Sequence, residues 1–174
     1  VLVTREIALK KTLLSYGECY DVTPVEHGEH GLAATCFFHS RSEKYVLTRK
    51  AQLWAAENHE YAYVFSFPHL DQAAFQTVKE LSCRLGMAEV HPNSEHMCSY
   101  ISAIILCDTI GKEAEKSLKS CRIRKNFKLS LHGWMEFHIA AIALEGGGIS
   151  SNRGGRRCAE LLRQFQNESL RRSE

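Results

Sequence analysis

The chain has 174 residues, 44% hydrophobic and 24% charged, with a formal net charge of +2 at pH 7. That length buries a core without disulfide or metal staples, and the balance excludes a disordered or fibrous chain. No run of about 18 apolar residues occurs, so a membrane-spanning helix is excluded and no membrane partner is expected.

Charge is unevenly spread. Residues 121–174 carry ten Lys/Arg and five Asp/Glu, whereas residues 1–120 carry twelve and fifteen. A basic end on a mildly acidic body points to an anionic partner. The seven cysteines form no C-x-x-C pair, and Cys36, Cys98, Cys107 and Cys158 sit inside apolar patterns. They are expected to be reduced thiols in a cytoplasmic protein.

Taken in chain order, Leu9, Leu13, Tyr16 and Tyr20 recur at helical spacing and predict a helix over 3–16, ended by Gly17. Residues 21–31, with Pro24, Gly28 and Gly31, read as a loop. Two β-rich runs follow, Leu32–His39 and Lys44–Trp54, with a hairpin expected at Ser40-Arg41-Ser42 and a short helix at Gln52–Glu57. Aromatic residues at 61, 63, 65 and 67 predict a strand stopped by Pro68. Leu70 to Leu85 reads as an amphipathic helix stopped by Gly86. Met97–Cys107 is apolar on both faces, the mark of a central strand covered on two sides.

A short helix is predicted over Lys112–Cys121, then a strand from the alternation of Phe127, Leu129 and Leu131. Met135–Leu144 and Ile149–Asn152 read as strands around the Gly146-Gly147-Gly148 turn. Cys158, Leu161, Leu162 and Phe165 define the last helix. These elements make a mixed α+β chain, expected as a single domain over 1–174. Its one mixed sheet has about six strands and helices on both faces, with a parallel crossover through helix 70–85.

Two constellations carry candidate chemistry. His132, Trp134, Glu136 and His138 lie two apart, so extended backbone would put them on one side. Two imidazoles and a carboxylate suit a divalent metal or a shared proton, so His132, Glu136 and His138 are the candidate catalytic and metal residues. Gly133 could bend the chain between them. The second is Asn152-Arg153-Gly154-Gly155-Arg156-Arg157, ahead of the last helix. Free N–H groups, glycine and three forked guanidiniums make Asn152, Arg153, Gly154, Arg156 and Arg157 the candidate anion site. A third set, His27, His30, Cys36 and His39, has zinc-like spacing, but positions 36 and 39 of one strand face opposite ways.

Glu43-Lys44, Glu57 and Glu60 precede the aromatic strand. The helix, three strands, helix and strand of residues 3–107 are similar in order to the core of the PD-(D/E)XK nuclease superfamily. That resemblance implies a nuclease-like fold. The acid-x-Lys motif of such nucleases does not stand on residues 44–67. Residues 125–157, with Leu131-His132-Gly133-Trp134 and Asn152-Arg153-Gly154-Gly155, resemble an uncharacterised prokaryotic family, which implies no activity.

The leading expectation is a binding or accessory domain that engages an anionic partner through its basic C-terminal element, nucleic acid ahead of a small phosphate ligand. The alternatives are a metal-dependent hydrolase or phosphodiesterase using His132, Glu136 and His138, and a structural subunit of a homo-oligomer.

Overall fold

A computed structural model describes the backbone of residues 4–45 and 52–171, and side chains within it other than those of 41–45, 52–57, 165 and 167–171. The elements are α1 (Arg5–Tyr16), β1 (Asp21–Pro24), a 3₁₀ turn (Glu29–Gly31), β2 (Leu32–Tyr45), β3 (Gln52–Leu70), α2 (Gln72–Glu89), β4 (His96–Ile110), α3 (Lys112–Ser120), β5 (Arg124–Asn126), β6 (Trp134–Ala143), β7 (Gly148–Ser151) and α4 (Arg156–Arg171). Seven strands form one mixed sheet in the order β1-β2-β3-β4-β6-β5, with β7 also paired to β6. Among the described residues no helix is long and apolar enough to cross a membrane.

The centre of the sheet is parallel. β4 runs parallel to β3 on one side and to β6 on the other. The β3–α2–β4 and β4–α3–β6 connections are therefore crossovers through a helix, as parallel neighbours require. Strand alternation then sorts the core into two layers. Tyr61, Tyr63, Phe65, Ile101 and Ile105 pack with Phe75, Val78 and Leu81 of α2 and Ala114 and Leu118 of α3. Ala62, Val64, Ile104, Leu106 and Ala140 pack on the opposite face with Ala8 and Tyr16 of α1 and Cys158, Ala159 and Leu162 of α4. β4 is buried on both faces, as its unbroken apolar run predicts, and Ile104 is wholly buried.

Helix starts follow local chemistry. The Thr4 hydroxyl accepts from the Ile7 amide to cap α1, and the Asp71 carboxylate accepts from the Ala74 amide at 2.7 Å to cap α2. Arg5 also donates to both carboxylate oxygens of Asp108 at 3.1 Å, tying α1 to β4.

Several expectations need correction. The chain does not turn at Ser40-Arg41-Ser42, where β2 continues in register with β3 through Ser40↔Asn58 and Ser42↔Ala56. No Gly, Pro or Asn-Gly stands there to reverse it. The helix expected at 52–57 is part of β3, and the intervening 46–51 lies outside the described residues. Pro68 does not end β3. It lies beyond Phe65, the last β3 residue paired with β2, so its missing N–H costs no ladder bond, while Phe67↔Cys107 and His69↔Thr109 hold the other edge. Gly86 does not stop α2 but sits inside it, where a Cβ would come 2.7 Å from Ile101 side-chain atoms. The residue is glycine because helix and strand approach closely there. β1 occupies a stretch read as loop. The Phe127-Leu129-Leu131 alternation is a turn rather than a strand, with Leu129 97% and Leu131 77% exposed.

Candidate functional site

The site grows from the register of three parallel strands. Glu60 of β3, Tyr100 of β4 and Glu136 of β6 are lateral neighbours in one row. Ala62, Ser102 and His138 form the next row, and Asn58 and Cys98 the preceding one. These positions continue the face that packs on α1 and α4, but they lie near the N-terminal ends of β4 and β6 and midway along β3, where that cover opens. The result is a cleft of about 800 Å³ with Asn58, Glu60, Cys98, Tyr100, Glu136 and His138 along its floor. Cys19, Tyr20, Phe38 and Ser40 line one side. Arg153, Gly154, Arg156, Arg157 and Cys158, from the turn after β7 and the first turn of α4, close the other.

The floor is hydrogen-bonded unevenly. The Tyr20 hydroxyl donates to Glu60 Oε2 and the Ser102 hydroxyl to Glu60 Oε1, both at 2.6 Å. Both oxygens of Glu60 are thus engaged. Cys98 Sγ donates to Asn58 Oδ1 at 3.1 Å. Burial, then the hydrogen bond with Cys98, pushes the Tyr100 hydroxyl up to about 12, so it stays a neutral donor.

His138 stacks on Tyr100 with centroids 4.7 Å apart, and its Nε2 lies 3.9 Å from Glu136 Oε1. Burial lowers its basicity below the ordinary histidine value. Glu60 and Glu136 pull the other way and Arg157 adds to the lowering, with burial the largest effect. The Glu136–His138 contact is therefore a carboxylate beside a neutral ring at neutral pH, and it leaves the Glu136 oxygens open.

Gly154 lets the arginine turn approach this pair. A Cβ there would sit 2.8 Å from His138 Nε2 and 3.2 Å from Glu136 Oε1, so a larger residue would push the turn off the floor. The turn is held by Asn152, which is 3% exposed. Its Oδ1 accepts from the Ile139 and Gly155 amides at 3.1 and 2.8 Å. Its Nδ2 donates to the Cys121 and Phe137 carbonyls at 3.1 and 3.0 Å. The Asn152 side-chain amide has all its hydrogen-bonding positions filled, and it holds the arginine turn in place.

The structure thus brings Glu136, His138, Arg153, Gly154, Arg156 and Arg157 to one cleft. It does not bring His132. Gly133, at φ +75°, bends the chain ahead of β6, and His132 lies in the preceding turn, where its carbonyl accepts from His96 Nδ1 at 2.7 Å. The trio expected to share a metal is split by that bend. Among the described residues no group of three or more His, Cys, Asp or Glu is arranged to hold a metal ion.

Sequence reasoning missed Tyr100 and Ser102, and grouped Glu60 with Glu43 and Glu57. The available signal was polarity at the start of β4, where Ser99, Tyr100 and Ser102 precede the apolar run 103–107, with Tyr100 and Ser102 on one face. All seven cysteines are free thiols; Cys36, Cys107 and Cys158 are pushed up to about 12 by burial first, with nearby carboxylates adding to it. None of these three is an activated thiolate.

A family described as Domain of unknown function (DUF8052) matches residues 4–164. The chain belongs to that family. Its match covers the whole cleft, from Cys19 to Cys158. No curated protein and no solved structure matches the DUF8052 chain.

Proposed function

We propose that this DUF8052 domain binds a small phosphate-bearing ligand, with Arg153, Arg156 and Arg157 taking the anionic group at the wall of the cleft. The observation that carries this reading is the state of the three guanidiniums. They gather at the start of α4 on one concave surface. Among the described residues none of them makes a hydrogen bond or ion pair. The helix dipole disfavours cations at that end, so an external anion is the natural compensation. A phosphate there would gain forked guanidinium donors and first-turn N–H groups together.

Nucleic acid would meet the same arginines, but a strand laid through the cleft would bring its phosphates against Glu60 and Glu136. A compact ligand suits the concave shape better. Seven free thiols support a reducing compartment, the cytoplasm, as the place of action.

The test is a calorimetric titration with inorganic phosphate and with a short single-stranded oligonucleotide, at about 50 and 200 mM salt. Phosphate should bind, more weakly at the higher salt, and the Arg153→Ala/Arg156→Ala variant should lose roughly tenfold or more in affinity. Salt-insensitive binding, or no phosphate binding at all, would overturn the reading. Oligonucleotide binding with no phosphate binding would return the basic element to nucleic acid.

A further inference from the structure

We infer that the cleft takes a bipolar ligand: a phosphomonoester whose opposite end donates hydrogen bonds, through a hydroxyl or an ammonium group, to Glu136. This rests on the phosphate reading above and adds what the rest of the ligand must be. The arginine wall alone would accept any anion. The floor would not, because two carboxylates lie in the row beneath that wall, on either side of Tyr100.

The two carboxylates differ in what they still require. Glu60 is satisfied from within the fold, with one hydroxyl on each oxygen. Glu136 has no hydrogen bond among the described residues and only the 3.9 Å approach of His138 Nε2. Arg124, its register neighbour on β5, is turned elsewhere: its Nε lies 3.4 Å from Asn126 Oδ1 and its guanidinium packs 5.0 Å from the centre of the Trp134 ring. A partly exposed carboxylate with open acceptor sites, facing a cleft, is suited to donors from a ligand.

Charge leads to the same class. Three arginines against two glutamates leave the lining with a surplus of one positive charge. A phosphomonoester overshoots that surplus; an ammonium at its far end restores the balance, and a hydroxyl end leaves the charge unchanged but supplies the donor that Glu136 lacks. Strands about 4.8 Å apart place the backbones at Glu60 and Glu136 about 10 Å from each other across Tyr100, so a ligand end held at Glu136 is separated from the satisfied Glu60.

Three probes separate this from simple anion binding: ethyl phosphate, which has no donor at its far end, glycerol 3-phosphate and phosphoethanolamine. Each is titrated against the full chain, the Glu136→Ala and Glu136→Gln variants, and Arg153→Ala/Arg156→Ala, with far-UV circular dichroism to check folding. Expected is at least tenfold tighter binding of both donor-bearing probes than of ethyl phosphate. Glu136→Ala should abolish that preference, and Glu136→Gln should abolish it for the ammonium probe. The double arginine variant should weaken all three alike. Equal affinities in the unaltered chain, or a preference that survives in both Glu136 variants, would overturn the bipolar ligand while leaving the phosphate reading standing. Failure of all three probes to bind would overturn both.

Discussion

The sequence marks Asn152 as part of the candidate anion site, and in the fold its buried amide is taken up by four backbone partners. By joining the backbones of β6, the segment at Cys121 and Gly155, it fixes where the arginine turn sits over His138. Truncation would orphan backbone donors and acceptors that water reaches poorly, at about 1–3 kcal/mol for each group left unsatisfied. Asn152→Ala should therefore lower stability in urea melts by at least about 2 kcal/mol and weaken phosphate binding as the turn loosens. Asn152→Asp keeps the Oδ1 acceptor but sets a carboxylate oxygen against two carbonyls, and should be worse still. A loss below about 0.5 kcal/mol for the alanine variant would mean that water takes over the amide's role and that the turn is held by other contacts.

At the scale of elements, the β5–β6 connection departs furthest from what the sequence predicts, and the reason is physical. Alternation of Phe127, Leu129 and Leu131 is the signature of a half-buried strand, but here the ladder ends at Asn126. The chain then closes on itself, with the Phe127 amide donating to the Gly133 carbonyl at 3.0 Å and the Leu131 amide to the Lys128 carbonyl at 3.0 Å. Lys128, Leu129 and Ser130 all take left-handed backbone, at φ 45°, 53° and 70°. Such a conformation costs about 1–2 kcal/mol for a residue with a Cβ. Ser130→Gly should relieve part of that, less the entropy a glycine adds to the unfolded chain, and raise stability by about 0.5–1 kcal/mol. A thermal melt should register about 1–4 °C, and a lowered midpoint would contradict the strain.

The same contrast governs which other elements could be read from sequence. β4 was legible because both its faces are apolar, and α2 because its apolar stripe is continuous. β1 was not: it is four residues long, mostly exposed and ends in Pro24. It is a strand only because β2 offers it an edge.

For the whole molecule, the rim of the cleft and the β6 part of its floor, Glu136 and His138, were legible, and the joining of that pair to Glu60 and Tyr100 was not. Arg153 to Arg157 are contiguous, so their meeting needs no tertiary information. Glu60, Tyr100, Glu136 and His138 come from three strands, and only the parallel register of β3, β4 and β6 sets them side by side. That assembly has a consequence for acid stability. Among the described residues two groups have basicities lowered by the fold in the acid-to-neutral range, His138 by burial and Glu115 by hydrogen bonds from Lys119 and Ser150. Above the ordinary histidine value of about 6.5, His138 is neutral in both folded and unfolded chains and exerts no pull. Below it the unfolded chain takes a proton that the folded chain resists, so stability falls as pH falls. The Glu115 contribution has the same sign but sets in lower, since it is lost only as pH drops through the folded carboxyl's lowered value. Urea midpoints should therefore be lower at pH 5.5 than at pH 7.5, with His138 the larger source across that interval. His138→Gln, which cannot titrate, should shrink the difference between the two pH values even where it lowers both midpoints. A difference as large in the variant as in the unaltered chain would mean that the acid sensitivity does not arise at the buried ring on Tyr100.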